Sequence, residues 1–241
     1  MRVSIVIPVL NEEMSLPATI ANVRSFDPPA GEVLVVDGGS DDATVALAKA
    51  AGFRVIQSPR RGRGAQVNAG VEAARSEVIC VLHADSVLPS DAIAVIQLTM
   101  TDPKLVLASF TPRIAGPSGT RWGTTIHNWA KTWYAPLLFR PHLFVRGCRL
   151  LFGDHAMFFR RADFLAVGGC DPAAMIMEEA DLCIRLSFRG KTRMVPRWVW
   201  TSDRRIAAWG PVKANLIYLK IGFLWGLGAR KRLGESYPDI R

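Results

Sequence analysis

The chain has 241 residues, of which 49% are hydrophobic and 21% are charged, and its formal net charge is +9. This balance is typical of a folded globular protein, and it excludes intrinsic disorder, a collagen-like repeat and a small scaffold held together by disulfides. The longest apolar stretch, Ala214 to Ala229, has 16 residues and contains Lys220. It is too short to span a membrane, but it suits a helix that lies on a surface.

Strands and helices are predicted to alternate along the first 110 residues. Hydrophobic strands are predicted at residues 2–9, 31–39, 53–58, 77–85 and 105–110. Helices are predicted after Ser15, from a cap at Ser40 through Lys49, over residues 65–76 and over residues 91–101. This order predicts an α/β protein with a Rossmann-like, mostly parallel central sheet and helices on both faces.

The pattern changes at Gly116. A helix that ends before Pro141 is predicted by bulky side chains that recur every three or four residues, namely Trp122, Ile126, Trp129, Trp133 and Leu137. We interpret this stripe as the core-facing side of the helix. The alternative is a surface that faces an acceptor or a bilayer, which the flanking Arg121, Arg140 and Arg146 favour. The prediction is completed by a strand pair, or a strand and a turn, at residues 149–161, a helix at 176–190 and a final strand at 193–200.

Positive charge is concentrated near the end of the chain. Residues 185–241 contain 13 lysines and arginines against three acids, and arginine outnumbers lysine by 23 to 7 in the whole chain. Because the guanidinium group suits phosphate, we expect a phosphate-bearing partner or an anionic surface. A solvated basic surface and a nucleic-acid partner are the alternatives.

The cysteines and the amino terminus indicate the compartment. Cys80, Cys148, Cys170 and Cys183 have no metal-binding spacing, so we expect buried, reduced thiols. The first apolar run is short and is followed directly by acids, unlike a secretory signal. We therefore expect a cytoplasmic protein, with contact to the inner face of the membrane as a further option.

Acidic residues follow several predicted strands, in the sequences PVLNEE, VVDGGSDD and HADS. In open α/β sheets, ligands bind beyond the carboxyl ends of the strands. Asp37 precedes two glycines, so its carboxylate is open to a ribose or a base edge, although a strand end with a helix cap explains it equally well. His83 and Asp85 point the same way and can reach one divalent ion, such as Mg²⁺ or Mn²⁺; a buried histidine beside a capping aspartate is the alternative.

Two further segments carry charge at predicted helix starts. The sequence PRRGRGAQVNAG places three arginines where they and the helix amides can face an anion, although the P-loop and GxGxxG motifs are absent. Glu178, Glu179 and Asp181 open a later helix, where one carboxylate can deprotonate an acceptor hydroxyl; stabilisation of the helix dipole is the alternative. Glu178 and Asp181 can share one helical face, whereas Glu178 and Glu179 cannot.

Six motifs occur in the order that family 2 glycosyltransferases of the GT-A fold show: IVIPVLNEE, VVDGGSDDAT, RGRGAQVNAG, LHADS, GDHAMFFRR and MEEADLCIRL. The resemblance covers residues 3 to about 205. It implies transfer of a sugar from a nucleotide-diphosphate donor with inversion at the anomeric carbon. The GDHAMFFRR, IMEE and SDRR segments also resemble a small bacterial subfamily named for arsenosugar biosynthesis.

The resemblance implies roles for individual residues. The nucleotide of a UDP- or GDP-sugar would be held by Pro8, Leu10, Glu12, Asp37, Arg63 and Ala84, and its phosphates by Arg204 and Arg205. Asp85, with His83, would bind Mg²⁺ or Mn²⁺. Glu179 matches the catalytic base of the family, and Asp181 is its rival. One domain, 1–241, would contain a nucleotide-binding half (1–110), an acceptor and catalytic half (111–205) and a basic, apolar C-terminal segment (206–241).

The chain departs from the family pattern at two motifs. The DxD motif is His83-Ala84-Asp85, which removes one carboxylate from the metal site, and the Glu-Asp pair is Glu178-Glu179. The QxxRW box of processive synthases is absent, so transfer of a single sugar is expected.

Other functions compete with this hypothesis. A nucleotide-binding regulator or inactive homologue would fit the altered metal motif, and a protein that binds membranes or nucleic acid would fit the basic tail. The motif order favours the enzyme. We expect no nucleic-acid partner, an unknown or lipid-linked acceptor, and peripheral membrane contact as an option.

Overall fold

The computed structural model describes residues 1–174 and 176–228. Its strands are β1 (Val3–Val9), β2 (Glu32–Asp37), β3 (Arg54–Gln57), β4 (Val78–Val81), β5 (Ser86–Val87), β6 (Leu105–Gly116), β7 (Gly119–Thr120), β8 (Met157–Arg160) and β9 (Lys191–Ser202). Its helices are α1 (Leu16–Arg24), α2 (Thr44–Ala50), α3 (Arg63–Ala73), α4 (Ala92–Thr99), α5 (Trp122–Phe139), α6 (Pro141–Val145), α7 (Arg161–Ala166), α8 (Glu178–Ser187), α9 (Arg204–Trp209) and α10 (Pro211–Gly226). A 3-10 turn covers Gly153–His155.

The strands form one sheet in the order β3-β2-β1-β4-β8-β6-β9-β5, with β7 paired to β6. The first four of these strands are parallel, as the alternation of strands and helices predicts. β8 then runs antiparallel to both β4 and β6, and β6 is parallel to β9. Every residue of β1 is buried, which places this strand in the centre of the fold.

Helix α3 packs very closely on the sheet. A Cβ atom at Gly70 would lie 2.4 Å from Cγ1 of Val6 and 2.9 Å from Cγ2 of Val36, so only glycine allows this approach. One turn earlier, Nε2 of Gln66 donates hydrogen bonds to the carbonyl oxygens of Val9 (2.7 Å) and Val36 (2.9 Å). These contacts hold the N-terminus of α3, with Arg63, at the carboxyl ends of β1 and β2.

The aromatic stripe of α5 faces solvent, so its predicted place in the core is wrong. The exposed fraction of the stripe residues runs from 38% at Trp133 to 58% at Ile126. The buried side of α5 is instead lined by small or polar residues: Thr124, Thr125, Asn128, Thr132, Ala135 and Pro136. Helical periodicity therefore located the helix but assigned its two faces the wrong way round.

The cysteines agree with the prediction, whereas the start of α2 and the length of β6 differ from it. All four cysteines are free and buried, as expected. The residue at the cap of α2 is Ala43 rather than Ser40, because the Ser40 hydroxyl donates to Asp37 instead. β6 has 12 residues, twice the predicted length.

The C-terminal segment is described only in part. Residues 214–226 of its apolar stretch lie in α10, and no helix in the described residues has the length and apolar character needed to cross a membrane. Residues 229–241, with part of the predicted basic tail, lie outside the described residues.

Candidate functional site

A cavity of about 440 Å³ opens beyond the carboxyl ends of β1 and β4. Helices α5 and α10 and the N-terminal ends of α3, α8 and α9 complete its walls. Most of the predicted site residues line it: Pro8, Leu10, Glu12, Arg63, His83, Ala84, Asp85, Glu179, Arg204 and Arg205. The structure thus brings together residues from five separate segments of the sequence, and those that follow β1 and β4 meet because the carboxyl ends of these strands share one edge of the sheet.

Asp37 does not line this cavity. Its carboxylate accepts hydrogen bonds from the backbone amides of Gly39 and Ser40 and, at 2.5 Å, from the Ser40 hydroxyl. Only 1% of Asp37 is exposed, and its carboxylate accepts hydrogen bonds from the loop that follows it. This arrangement orders the turn after β2, and a nucleoside contact by Asp37 stays a prediction.

Arg204 joins the acidic residues that follow two neighbouring strands. Its guanidinium group donates to both carboxylate oxygens of Glu12, at 3.0 and 3.2 Å, and lies 3.2 Å from Oδ2 of Asp85. Such forked contacts fix the position of a guanidinium group better than a single contact does. Arg205 also lines the cavity. The first turn of α9 therefore brings positive charge to the strand-end acids.

Glu178 and Glu179 both line the cavity, contrary to the expectation from helical faces. The cavity lies at the N-terminal end of α8 rather than along its side, so consecutive residues of the first turn reach it together. Oε1 of Glu179 lies 3.5 Å from Nη1 of Arg63. Asp181 is not part of the lining; its carboxylate lies 3.5 Å from Nε of Arg185, one turn along the same helix.

The two neighbouring glutamates differ in their environment. Burial and the adjacent charge of Glu179 raise the pKa of Glu178 to about 8. Glu178 therefore holds a proton at neutral pH. Glu179 instead faces the guanidinium group of Arg63. The pair thus places a protonated, buried carboxyl group beside a glutamate that contacts an arginine.

Gly153 lies between His83 and Glu179. A Cβ atom at this position would be 2.5 Å from Oε1 of Glu179 and 2.8 Å from Nε2 of His83. Nε2 of His83 is buried and has no hydrogen-bond partner in the described residues. Burial, together with the charge of Arg63, lowers the pKa of His83 well below its usual value, so the ring is neutral. The packing places His83 beside the candidate base.

The sequence analysis missed a polar group on the inner side of α5. Thr124, His127, Asn128 and Lys131 line the cavity together with Asp154 of the 3-10 turn. Asp154 accepts a hydrogen bond from Asn128, and the Nζ of Lys131 lies 3.6 Å above the Phe152 ring. Burial lowers the pKa of Lys131, while Asp154 and Glu179 oppose this change. The i, i+3, i+4, i+7 spacing of the four α5 residues was a signal for this inner face.

Backbone strain is found at the edges of the same cavity. In the described residues, the non-glycine residues with positive φ are Asn11 (54°), Ala156 (46°) and Met177 (65°). Asn11 precedes Glu12, Ala156 follows the 3-10 turn, and Met177 precedes the glutamate pair. Such conformations cost about 1–3 kcal/mol each and cluster at functional sites. Their positions support this cavity as the functional one.

A divalent ion could use only part of this lining. The described residues contain no group of three or more His, Cys, Asp or Glu side chains arranged to hold a metal. Asp85 nonetheless presents a carboxylate to the cavity. Mg²⁺ is commonly held by one or two carboxylates together with phosphate oxygens of a substrate. The residues therefore fit an ion that is completed by a phosphate-bearing ligand.

Comparison with known proteins supports the motif analysis. The model of the family described as "Glycosyl transferase family 2" matches residues 4–168. An uncharacterized glycosyltransferase of Mycobacterium tuberculosis is 34% identical over 131 residues, which are 53% of this chain and 58% of that protein. The undecaprenyl-phosphate 4-deoxy-4-formamido-L-arabinose transferase of Pseudomonas aeruginosa is 36% identical over 101 residues, which are 38% of this chain and 30% of that protein. The matches thus span less than two thirds of either relative.

A solved structure supports the fold. Glucosyl-3-phosphoglycerate synthase of M. tuberculosis, in complex with Mn²⁺, UDP and glucosyl-3-phosphoglycerate, superposes with a TM-score of 0.61 at 21% identity. The match covers 94% of this chain and 80% of that one. The predicted GT-A-like α/β fold is therefore confirmed.

Proposed function

Because the chain belongs to glycosyl transferase family 2, we propose that it transfers a single sugar from a nucleotide-diphosphate donor to an acceptor hydroxyl, with inversion. The observation that carries this proposal is the position of Glu179. It shares one cavity with the strand-end acid Asp85 and with two arginines of α9. A candidate base and a candidate site for a diphosphate leaving group thus occupy one cavity.

The donor would occupy the β1 and β4 side of the cavity. There Pro8, Leu10, Glu12 and Ala84 would hold the nucleoside, with Asp37 shaping the adjacent turn. Arg204, Arg205 and Arg63 would neutralise the diphosphate. The donor class is a UDP- or GDP-sugar. The complex of the M. tuberculosis synthase with UDP and Mn²⁺ supports this choice through the shared fold.

A divalent ion, Mg²⁺ or Mn²⁺, would be held by Asp85 together with the diphosphate, and His83 is a second candidate ligand. Such an ion would stabilise the charge on the departing phosphates. The remaining chemistry is assigned to side chains of this chain.

The base would be Glu179. As the acceptor oxygen attacks the anomeric carbon, its proton passes to the Glu179 carboxylate, and the carbon–oxygen bond to the diphosphate breaks. The electron pair of that bond leaves with the nucleoside diphosphate, so a single displacement inverts the anomeric centre. Arg63 lies against Glu179 and would orient it, and the proton on Glu178 limits repulsion between the two glutamates.

The acceptor would meet the polar inner side of α5. Asn128, Lys131 and Asp154 offer both donors and acceptors for hydroxyl groups. We propose that the accepting hydroxyl belongs to a lipid-linked molecule; the name of the P. aeruginosa relative, which contains undecaprenyl phosphate, supports the lipid part of this proposal. The likeness to the arsenosugar subfamily remains a prediction.

The test is a donor screen with matched variants. Purified protein is incubated with Mn²⁺, a UDP- or GDP-sugar and a lipid-linked saccharide or an alkyl glycoside, and the released nucleotide is measured. Glu179→Gln is expected to lower turnover by about 100- to 10,000-fold without loss of UDP or GDP binding in calorimetry. Asp181→Asn, in the same helix but outside the cavity lining, is the control and should retain turnover.

The outcomes separate the hypotheses. Unchanged turnover in Glu179→Gln would remove this residue from its role. Nucleotide binding without turnover of any donor would favour the regulator or inactive homologue. The configuration of the product, measured by NMR, tests inversion.

A further inference from the structure

Two neighbouring helices carry matching apolar stripes on their solvent-facing sides. In α5 the stripe residues are Trp122, Ile126, Trp129, Trp133 and Leu137, and on α10 and its C-terminal end they are Val212, Leu216, Leu219, Phe223 and Leu227. Both sets have the spacing i, i+4, i+7, i+11, i+15, which marks one face of an α-helix. Each of these ten side chains is at least 38% exposed. Apolar side chains on one face of a helix are normally buried against the rest of the protein or against a partner.

The two helices lie side by side and run in the same direction. Near their N-terminal ends, Asn215 donates to the Thr124 hydroxyl (3.1 Å) and contacts Nδ1 of His127 (3.1 Å). Near their C-terminal ends, the rings of Phe139 and Phe223 are 6.4 Å apart. On a helical wheel with 100° per residue, the contacts of Asn215 place both stripes on the same side of the pair, and Phe223 of the α10 stripe contacts the C-terminal end of α5. The stripes therefore form one apolar face, called here the α5–α10 face.

The segments that form the α5–α10 face contain no acidic residue. The sequence has no aspartate or glutamate from residue 103 to 153 or from residue 204 to 228. Arg113 lies over the Trp122 ring (5.3 Å) and Arg149 lies over the Trp133 ring (4.8 Å). Lys213 and Lys220 are exposed on α10. Tryptophan and basic residues around an apolar stripe are typical of helices that lie in a membrane interface.

We propose that the α5–α10 face docks the protein on the surface of an anionic lipid bilayer. The apolar side chains would enter the headgroup boundary, and the basic residues would contact lipid phosphates. A second copy of the chain fits less well, because two such faces would bring positive charges together. The opposite sides of α5 and α10 line the cavity, so docking would hold the cavity close to the membrane surface. The proposal goes beyond the proposed sugar transfer and does not depend on it.

The test is co-sedimentation with lipid vesicles. Wild-type protein is mixed with vesicles of phosphatidylcholine that contain about 30% phosphatidylglycerol, or none, at about 0.1 M salt. Binding is expected only with the anionic vesicles and should weaken at higher salt. Binding should also shift tryptophan fluorescence to shorter wavelength.

Variants assign the binding to this face. The double variants Ile126→Ser with Leu216→Ser, and Lys213→Glu with Lys220→Glu, are each expected to weaken partitioning by at least about tenfold. Controls change exposed residues elsewhere: Leu98→Ser with Phe188→Ser for apolar residues, and Lys49→Glu for charge. The controls should bind like the wild type. Because all the changed side chains are exposed, thermal melting should show that every variant is folded.

Three results would overturn the proposal. The first is no binding of the wild type to anionic vesicles. The second is equal binding by the face variants and the wild type. The third is a concentration-dependent dimer in sedimentation velocity that the face variants abolish, without any vesicle binding, which would assign the face to a second copy.

Discussion

Replacing Glu178 by glutamine is expected to change how the stability of the protein depends on pH. Glu178 is 4% exposed, and burial together with the charge of Glu179 raises its pKa from 4.5 to about 8. Between these two values the folded protein holds a proton that the unfolded chain releases. The stabilisation linked to this proton is complete below the unfolded pKa of 4.5 and is lost as the pH rises through about 8.

The size of the effect follows from the shift. One pKa unit corresponds to about 1.4 kcal/mol, so a shift from 4.5 to about 8 corresponds to a change of roughly 5 kcal/mol in the free energy of unfolding. The glutamine variant has nearly the same shape and no proton to lose. Near pH 4.5 the two proteins should have similar stability. Near pH 9 the variant should be more stable by several kcal/mol.

Urea unfolding under reducing conditions, followed by tryptophan fluorescence at several pH values from about 4.5 to 9, measures this difference. Subtracting the wild-type curve from the variant curve removes the contribution of the other titrating groups. Glu179→Gln provides a second check, since loss of the neighbouring charge should lower the pKa of Glu178 and flatten the profile. If the curves of wild type and Glu178→Gln run parallel across this range, the assignment of the buried proton to Glu178 is wrong.

Two further variants test the geometry of the cavity. Gly153→Ala should destabilise the protein by about 1–3 kcal/mol and lower turnover, because the new Cβ would displace Glu179 or His83; Gly123→Ala, where a Cβ meets no atom within 4 Å, is the control in a calorimetric melt and a turnover assay. Arg204→Ala should cost about 1–3 kcal/mol in urea unfolding and weaken nucleotide binding, since Glu12 and Asp85 lose their shared partner. Arg197→Ala, which breaks a surface ion pair with Asp91, should cost less than about 1 kcal/mol; equal losses in the two arginine variants would contradict the role of Arg204.

The parallel half of the sheet could be predicted because its signals are local. β1, β2 and β4 are short hydrophobic runs, and the acids or glycines that end them are adjacent in sequence. The rule that carboxyl ends of parallel strands share an edge then brought Glu12 and Asp85 to one cavity. The loop contacts of Asp37 are also local: the two glycines after it let the backbone turn, and the amides of Gly39 and Ser40 donate to its carboxylate.

The face of α5 could not be predicted from periodicity alone. Periodicity shows that a helix has an apolar side, but it does not show which side meets the rest of the chain. The side that packs inward carries Thr124, Asn128 and Thr132, because it borders a polar cavity. A similar limit applied to Glu178 and Glu179, since the rule for helical faces describes the flank of a helix and not its end.

Contacts between distant parts of the chain explain why we propose that the three predicted regions act as one domain. Arg204 and Glu12 are 192 positions apart, yet their forked ion pair lies at the end of β1. Asn215 of α10 bonds to Thr124 of α5, so the C-terminal segment also completes the cavity wall beside α5. Residues 1–110 and residues 111–228 each supply only part of the cavity wall. The first turn of α9 supplies Arg204 and Arg205 to a cavity wall to which the nucleotide-binding half contributes Glu12, Asp85 and Arg63.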